Sequence, residues 1–162
     1  MPRDQRSITP ADIMPLDQYE LIRADKKQEA IERKKLTRLA VGPYATVLFE
    51  NWDSMWLQIQ EMLRIEKGGD EQLVDELAAY DPMVPKGNEL TATIFFEIAD
   101  AARRDAFLRT IGGIEEHISI QVGGHLIPAR AEGDTERTRA SDNKASAVHF
   151  FHFDFTPDAI AA

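Results

Sequence analysis

Gln58, Glu61 and Arg64 are the side chains whose types and spacing come nearest to a binding site in this chain. They recur every three residues, so on a helix they line one face together. The stretch that carries them, FENWDSMWLQIQEMLRIE from Phe49 to Glu66, reads as the end of a strand running into a helix over Trp52–Glu66. Trp52, Met55, Trp56, Ile59, Met62 and Leu63 form an apolar stripe at helical steps, and Leu57 and Ile65 lie off that stripe. A helix apolar on both sides is expected to be covered on both sides, which shelters the polar residues between. Sheltered polar groups need partners, and the partner is either another side chain or a ligand. In the ligand case Gln58, Glu61 and Arg64 would orient a polar or anionic molecule, assisted by Glu50 or a histidine.

The histidines offer the alternative of a metal. His149 alternates with Phe151, Phe153 and Phe155 on one strand face, whereas His152 shares the opposite face with Val148, Phe150 and Asp154. Two histidines on opposite faces cannot hold one ion. His152 with Asp154 is either a ligand pair or a histidine–carboxylate hydrogen bond. A metal centre built on them needs a further ligand from elsewhere, for which Glu50, with His117 or His125, is the candidate. Glu61 and Glu66 stand five apart, on neighbouring rather than shared helix faces, which suits paired acid–base work poorly. Arg137 and Arg139, in the polar loop Glu132 to Lys144, could close over an anion. No spacing matches a phosphate loop, a dinucleotide fingerprint or a nucleophile elbow. No cofactor is expected, with a metal as the alternative.

Composition narrows the classes. The chain has 162 residues, 43% hydrophobic and 29% charged, and no cysteine. That excludes disulfides, thiolate chemistry and any cysteine-ligated cluster within it. No apolar run reaches membrane-spanning length, and the N-terminus lacks the apolar core of a secretory signal. A cytoplasmic location and no membrane partner are expected. The net charge of −9 is uneven: residues 1–38 carry nine Lys and Arg against seven Asp and Glu, about +2, leaving about −11 for the rest. An acidic body argues against nucleic acid as a partner. The basic patch Arg33, Lys34, Lys35, Arg38 reads either as a docking site for an acidic partner or as a solvated helix face.

The elements that must position these residues follow in order. Thr9-Pro10 opens a short helix that Pro15 interrupts. Two further helices are expected, one over Asp17–Arg23 and one capped by Asp25 that runs to about Arg38. A strand over Leu39–Glu50 leads into the tryptophan helix, which Gly68 and Gly69 close. A second helix spans Asp70–Tyr80. Strands are expected over Glu89–Ile98, within Ile114–Arg130 and over Ala145–Phe155, with a helix over Ala101–Ile111 and a tail after Phe155. The fold class is α+β: a mostly antiparallel sheet of about four strands, helices on one side and a helical N-terminal arm. The chain reads as a single domain: arm 1–38, body 39–156, tail 157–162.

The runs ERKKLTRLAVGPYATVLFEN, MWLQIQEMLRIEK, ELAAYDPMVPKGNELTATIFFEI, IGGIE and SAVHFFHFDF resemble the bacterial family of unknown function numbered 3501. The resemblance covers about Leu16 to Thr156, and its most specific pieces are QIQEMLRIE and AYDPMVP. It implies no catalytic residue. It does imply a setting, because such proteins are often encoded beside rubrerythrin-like proteins and iron–sulfur proteins of the heterodisulfide-reductase type. Two functions therefore stand side by side. One is a non-catalytic accessory or binding protein in a redox or oxidative-stress context, with such a redox protein as partner. The other is an enzyme, or a metal or small-anion binder, with a polar site beside the Trp52–Glu66 helix.

Overall fold

The computed structural model describes residues 4–133 and 138–162, and the chain divides into two units, Met1–Thr37 with Glu50–Gly87 and Arg38–Phe49 with Asn88–Ala162.

The first unit is helical: α1 (Leu16–Thr37), α2 (Trp52–Glu66) and α3 (Gly69–Tyr80), with 3-10 turns at Pro10–Asp12 and Asp81–Met83. α1 is one continuous helix of 22 residues where the sequence suggests two. Nothing between Leu16 and Thr37 is glycine or proline, so the aspartate at position 25 has no break to cap. α2 has the bounds the tryptophan stripe predicts. Of the two caps expected, Asn51 serves: its side chain accepts from Ser54 N–H at 2.9 Å, and Ser54 Oγ accepts from Asn51 N–H at 2.9 Å. The stop differs from expectation. Lys67, not a glycine, takes the left-handed conformation (φ 53°) and donates its N–H to Leu63 O. Gly68 has φ −82°, and Gly69, at φ 70°, already belongs to α3. Trp52, Met55, Trp56, Ile59 and Leu63 are buried and Met62 partly so, which makes the predicted stripe the inner face of α2, but the expected covering of the other side is not found, with Ile65 66% exposed.

The second unit is built on an antiparallel sheet in the order β1-β2-β3-β8-β5-β4. Its strands are β1 (Arg38–Val41), β2 (Ala45–Phe49), β3 (Glu89–Phe96), β4 (Ser119–Val122), β5 (His125–Ala131) and β8 (Val148–Asp154). β6 (Thr138–Arg139) and β7 (Lys144–Ala145) form a separate two-stranded ribbon. The α+β class and the antiparallel sheet are as expected, with six strands rather than about four. The extra strands come from glycine turns. Gly42, at φ 64°, divides the predicted first strand into the β1–β2 hairpin, and Gly123, at φ 54°, divides the third into the β4–β5 hairpin with a two-residue loop. The tail forms α5 (Pro157–Ala161), capped by Thr156 with proline at its first position.

Strand alternation sorts the residues of β3 and β8. Ala92, Ile94 and Phe96 share a face with Phe151 and Phe153, and that face packs with Ile127, with Leu108 of α4 (Ala101–Thr110) and with Ala159 of α5. The opposite face carries Glu89, Thr91, Thr93 and His152 together with Leu48 and Phe150, and there Thr91 and Thr93 are buried.

Candidate functional site

Three side chains on one line of α2 fasten the N-terminal segment beside it. Trp52, Trp56 and Gln60 follow each other at steps of four, so they stack along one helix face. Trp52 Nε1–H donates to Ser7 O at 3.0 Å and Trp56 Nε1–H to Asp12 O at 2.8 Å. Gln60, fully buried, accepts from Met14 N–H at 2.7 Å and donates to Met14 O at 3.3 Å. A buried amide that meets both backbone groups of one residue satisfies itself and an otherwise irregular stretch of chain. The two indoles lie nearly parallel, 13° between planes and 6.3 Å between centroids, and Tyr19 meets Trp56 edge-on at 5.9 Å.

This arrangement leaves a cavity of about 310 Å³ within the first unit. Its apolar wall is Trp52, Trp56, Leu57, Met14 and Ile22. α1 contributes Lys26, Glu29 and Arg33, which with Ile22 follow spacings of four, three and four along one helix face. Asp12 and Asp53 complete the polar rim. Most of these charges are committed. Both Glu29 oxygens accept from Lys26 Nζ, at 2.9 and 3.2 Å. Asp12 accepts from Gln5 Nε2, Thr9 N–H and Thr9 Oγ–H. Asp53 also has a partner. Among the described residues the Arg33 guanidinium has none; only its backbone carbonyl is engaged, by Thr37 Oγ. A second groove, about 370 Å³, is walled by Pro10, Ile13, Pro15, Leu63 and Leu73, with Lys67 and Asp70 as its charges and no aromatic side chain.

The residues singled out from sequence lie elsewhere on α2. Glu61 accepts from Tyr19 Oη–H at 2.6 Å and from Arg23 through Nε–H at 2.7 Å and Nη2–H at 3.0 Å. The Arg23 guanidinium holds the Glu61 carboxyl below the usual carboxylate range against the opposing effect of burial. Burial first, and then the bond to Glu61, pushes the Tyr19 phenol above its ordinary value. Arg64 pairs with Glu20 through Nε. Gln58 is exposed and donates to Tyr80 Oη at 3.4 Å. The three thus each have a different partner, and none lines either cavity.

The metal candidates also have their own partners. Glu50, buried, accepts from Ser54 Oγ–H at 2.5 Å. In the second unit His152 stands between two carboxylates, with Nδ1 2.8 Å from Glu89 Oε2 and Nε2 in contact with Glu132 Oε2. A neutral imidazole can donate from one nitrogen only, so both contacts are hydrogen bonds only if the ring is doubly protonated or one carboxylate carries the proton. Asp154 bonds instead to Arg130, at 2.7 and 3.1 Å, and that guanidinium lowers its carboxyl. Carboxylates on opposite ring nitrogens do not converge on one ion, and among the described residues no group of three or more His, Asp and Glu could hold a metal. Arg139 is occupied by Asp142, which also accepts from Arg109. Arg137 lies outside the described residues.

Sequence reasoning assigned Arg33 to a surface patch and Lys26 to nothing. The signal was present in the Ile22, Lys26, Glu29, Arg33 spacing, which marks a face of α1 that mixes apolar and charged groups. For the Glu89–His152–Glu132 chain there was no such signal. Glu89 reaches His152 only because β3 pairs with β8 with Thr91 opposite His152 and Glu89 opposite Asp154.

A family model described as "Protein of unknown function (DUF3501)" matches residues 7–162. A crystal structure of a novel protein of unknown function from Burkholderia pseudomallei is similar at 33% identity and a TM-score of 0.87, covering 96% of this chain and 80% of that one. No curated protein matches. In the described residues no helix is long and apolar enough to cross a membrane.

Proposed function

Since the chain belongs to the DUF3501 family, proteins of unknown function, no activity comes with membership, and we propose from the geometry that it is a non-catalytic binding protein whose site is the cavity beside α2. The observation that carries this reading is the paired indoles of Trp52 and Trp56 forming the apolar wall of a cavity rimmed by charges from α1. Concave, mostly apolar sites with a few placed polar groups are the usual form of small-molecule sites, and about 310 Å³ lies at the lower end of their range. The binding reading also has support from one ionisable cluster. Glu61 already accepts three hydrogen bonds from Tyr19 and Arg23, which suits a fixed structural role. A place beside a rubrerythrin-like or iron–sulfur protein rests on the family resemblance and not on this geometry.

The chain's two tryptophans both line the cavity, so their emission reports on it directly. Titration with a panel of small organic acids, amines and alcohols is expected to give a saturable, one-to-one change in tryptophan emission for at least one class. Ile22→Phe, which places a ring in the cavity, is expected to abolish it while the far-ultraviolet circular dichroism stays unchanged. If no compound of any class gives a saturable change, the reading is wrong.

A further inference from the structure

Resting on that reading of the cavity, we infer that its ligand is an apolar monocarboxylate, with the carboxylate on Arg33 and the apolar body against Trp52, Trp56, Leu57 and Ile22. The charge accounting selects the head group. Lys26 and Glu29 neutralise each other across 2.9 Å, and the Asp12 carboxylate already accepts three hydrogen bonds, two from Thr9 of its own turn and one from Gln5. Asp53 is engaged as well, and it sits in the first turn of α2, where the helix dipole favours a negative charge. That leaves the Arg33 guanidinium, half-buried on the cavity wall, as the lining cation without a counter-charge among the described residues. A guanidinium presents its N–H groups as a flat fork that matches the two oxygens of a carboxylate, and shelter from water strengthens that pair. The remaining lining dictates the body of the ligand. Five apolar side chains face the space, and the indole N–H groups are already spent on Ser7 O and Asp12 O, so the rings offer surface and not hydrogen bonds. A highly hydrated inorganic anion would leave that surface uncovered, whereas an aliphatic or aromatic acid covers it and meets Arg33 together.

Three compounds with one body and different heads test this: octanoate, octylammonium and 1-octanol, each titrated into the full chain and followed by tryptophan emission and calorimetry. Octanoate is expected to bind about tenfold or more tightly than either of the others, a difference of about 1.4 kcal/mol. Arg33→Gln is expected to remove that preference and leave the 1-octanol affinity as it was, and Arg33→Lys to keep part of it. Arg33 holds no structural ion pair among the described residues, so these variants keep the fold. Octylammonium binding best, or a preference for octanoate that survives in Arg33→Gln, overturns the head-group assignment while the cavity reading stands. Failure of all three compounds, together with failure of the wider panel, removes both.

Discussion

Glu61 accepts three hydrogen bonds at one carboxylate, and that saturation gives the first unit a dependence on pH at both ends of the scale. Its carboxyl is lowered in the folded state, so its contribution is complete above the unfolded value of about 4 and disappears as pH falls through the folded value. Tyr19 is raised, so its contribution is complete below the unfolded value of about 10 and is lost as pH rises through the folded one. Urea unfolding as a function of pH is therefore expected to show a plateau at neutral pH with a loss on either side. Glu61→Gln should cost about 2 kcal/mol at pH 7, since it removes hydrogen bonds to a charged group, and should flatten the acid limb. An acid limb identical to that of the unaltered chain would show that the Arg23–Glu61–Tyr19 group does not set it. The sequence made Glu61 visible as a polar residue beside the apolar stripe, although the covering of the second side from which its shelter was expected is not found, since Ile65 is 66% exposed. It could not name the partners, since Tyr19 and Arg23 lie 42 and 38 residues away and arrive only through the packing of α1 on α2.

At the scale of elements, α2 was legible and the segment it holds was not. Apolar residues at helical steps and an asparagine before the first turn gave its start and its inner face, while its stop is made by Lys67 and not by the glycines expected to make it. The inner face nevertheless contains Gln60, which a hydrophobic pattern assigns to solvent. Its burial makes sense only once Met14 is opposite, because the backbone of that irregular stretch has no ladder of its own. The glycine turns at Gly42 and Gly123 were misread for a related reason: both lie within runs whose alternation continues on either side, so one strand and two look alike. The part played by Gln60 can be measured. Gln60→Ala leaves Met14 N–H and C=O without their partner and is expected to cost about 2 kcal/mol in urea unfolding. Hydrogen–deuterium exchange should rise across residues 7–14 well before it rises in α3. Exchange that stays unchanged in that segment would mean the indole bonds alone hold it.

At the scale of the whole chain, the connectivity bears on whether one domain is the right description. The backbone passes between the units at Thr37/Arg38, Phe49/Glu50 and Gly87/Asn88, so neither unit is a continuous stretch. The segment carrying α2 and α3 leaves the sheet after β2 and re-enters it at β3, and these two strands are paired neighbours, with Phe49 opposite Ala92. If α2 and α3 unfolded alone, that pairing would have to close a loose loop of nearly forty residues, an entropic cost of about 3 kcal/mol. α1 would also lose the helix its Tyr19 and Arg23 are bonded to. The second term binds the first unit together, and the loop term links that unit to the β2–β3 pairing of the other, which leads to the expectation of one cooperative transition. The sequence supplies the probes: both tryptophans, Trp52 and Trp56, lie in the first unit, and all four histidines, His117, His125, His149 and His152, lie in the second. Followed through a urea titration by tryptophan emission and by the histidine ring protons in NMR, the two curves are expected to share one midpoint and one slope. Separate midpoints would mean that the helical unit and the sheet unit are independent domains joined by three connections.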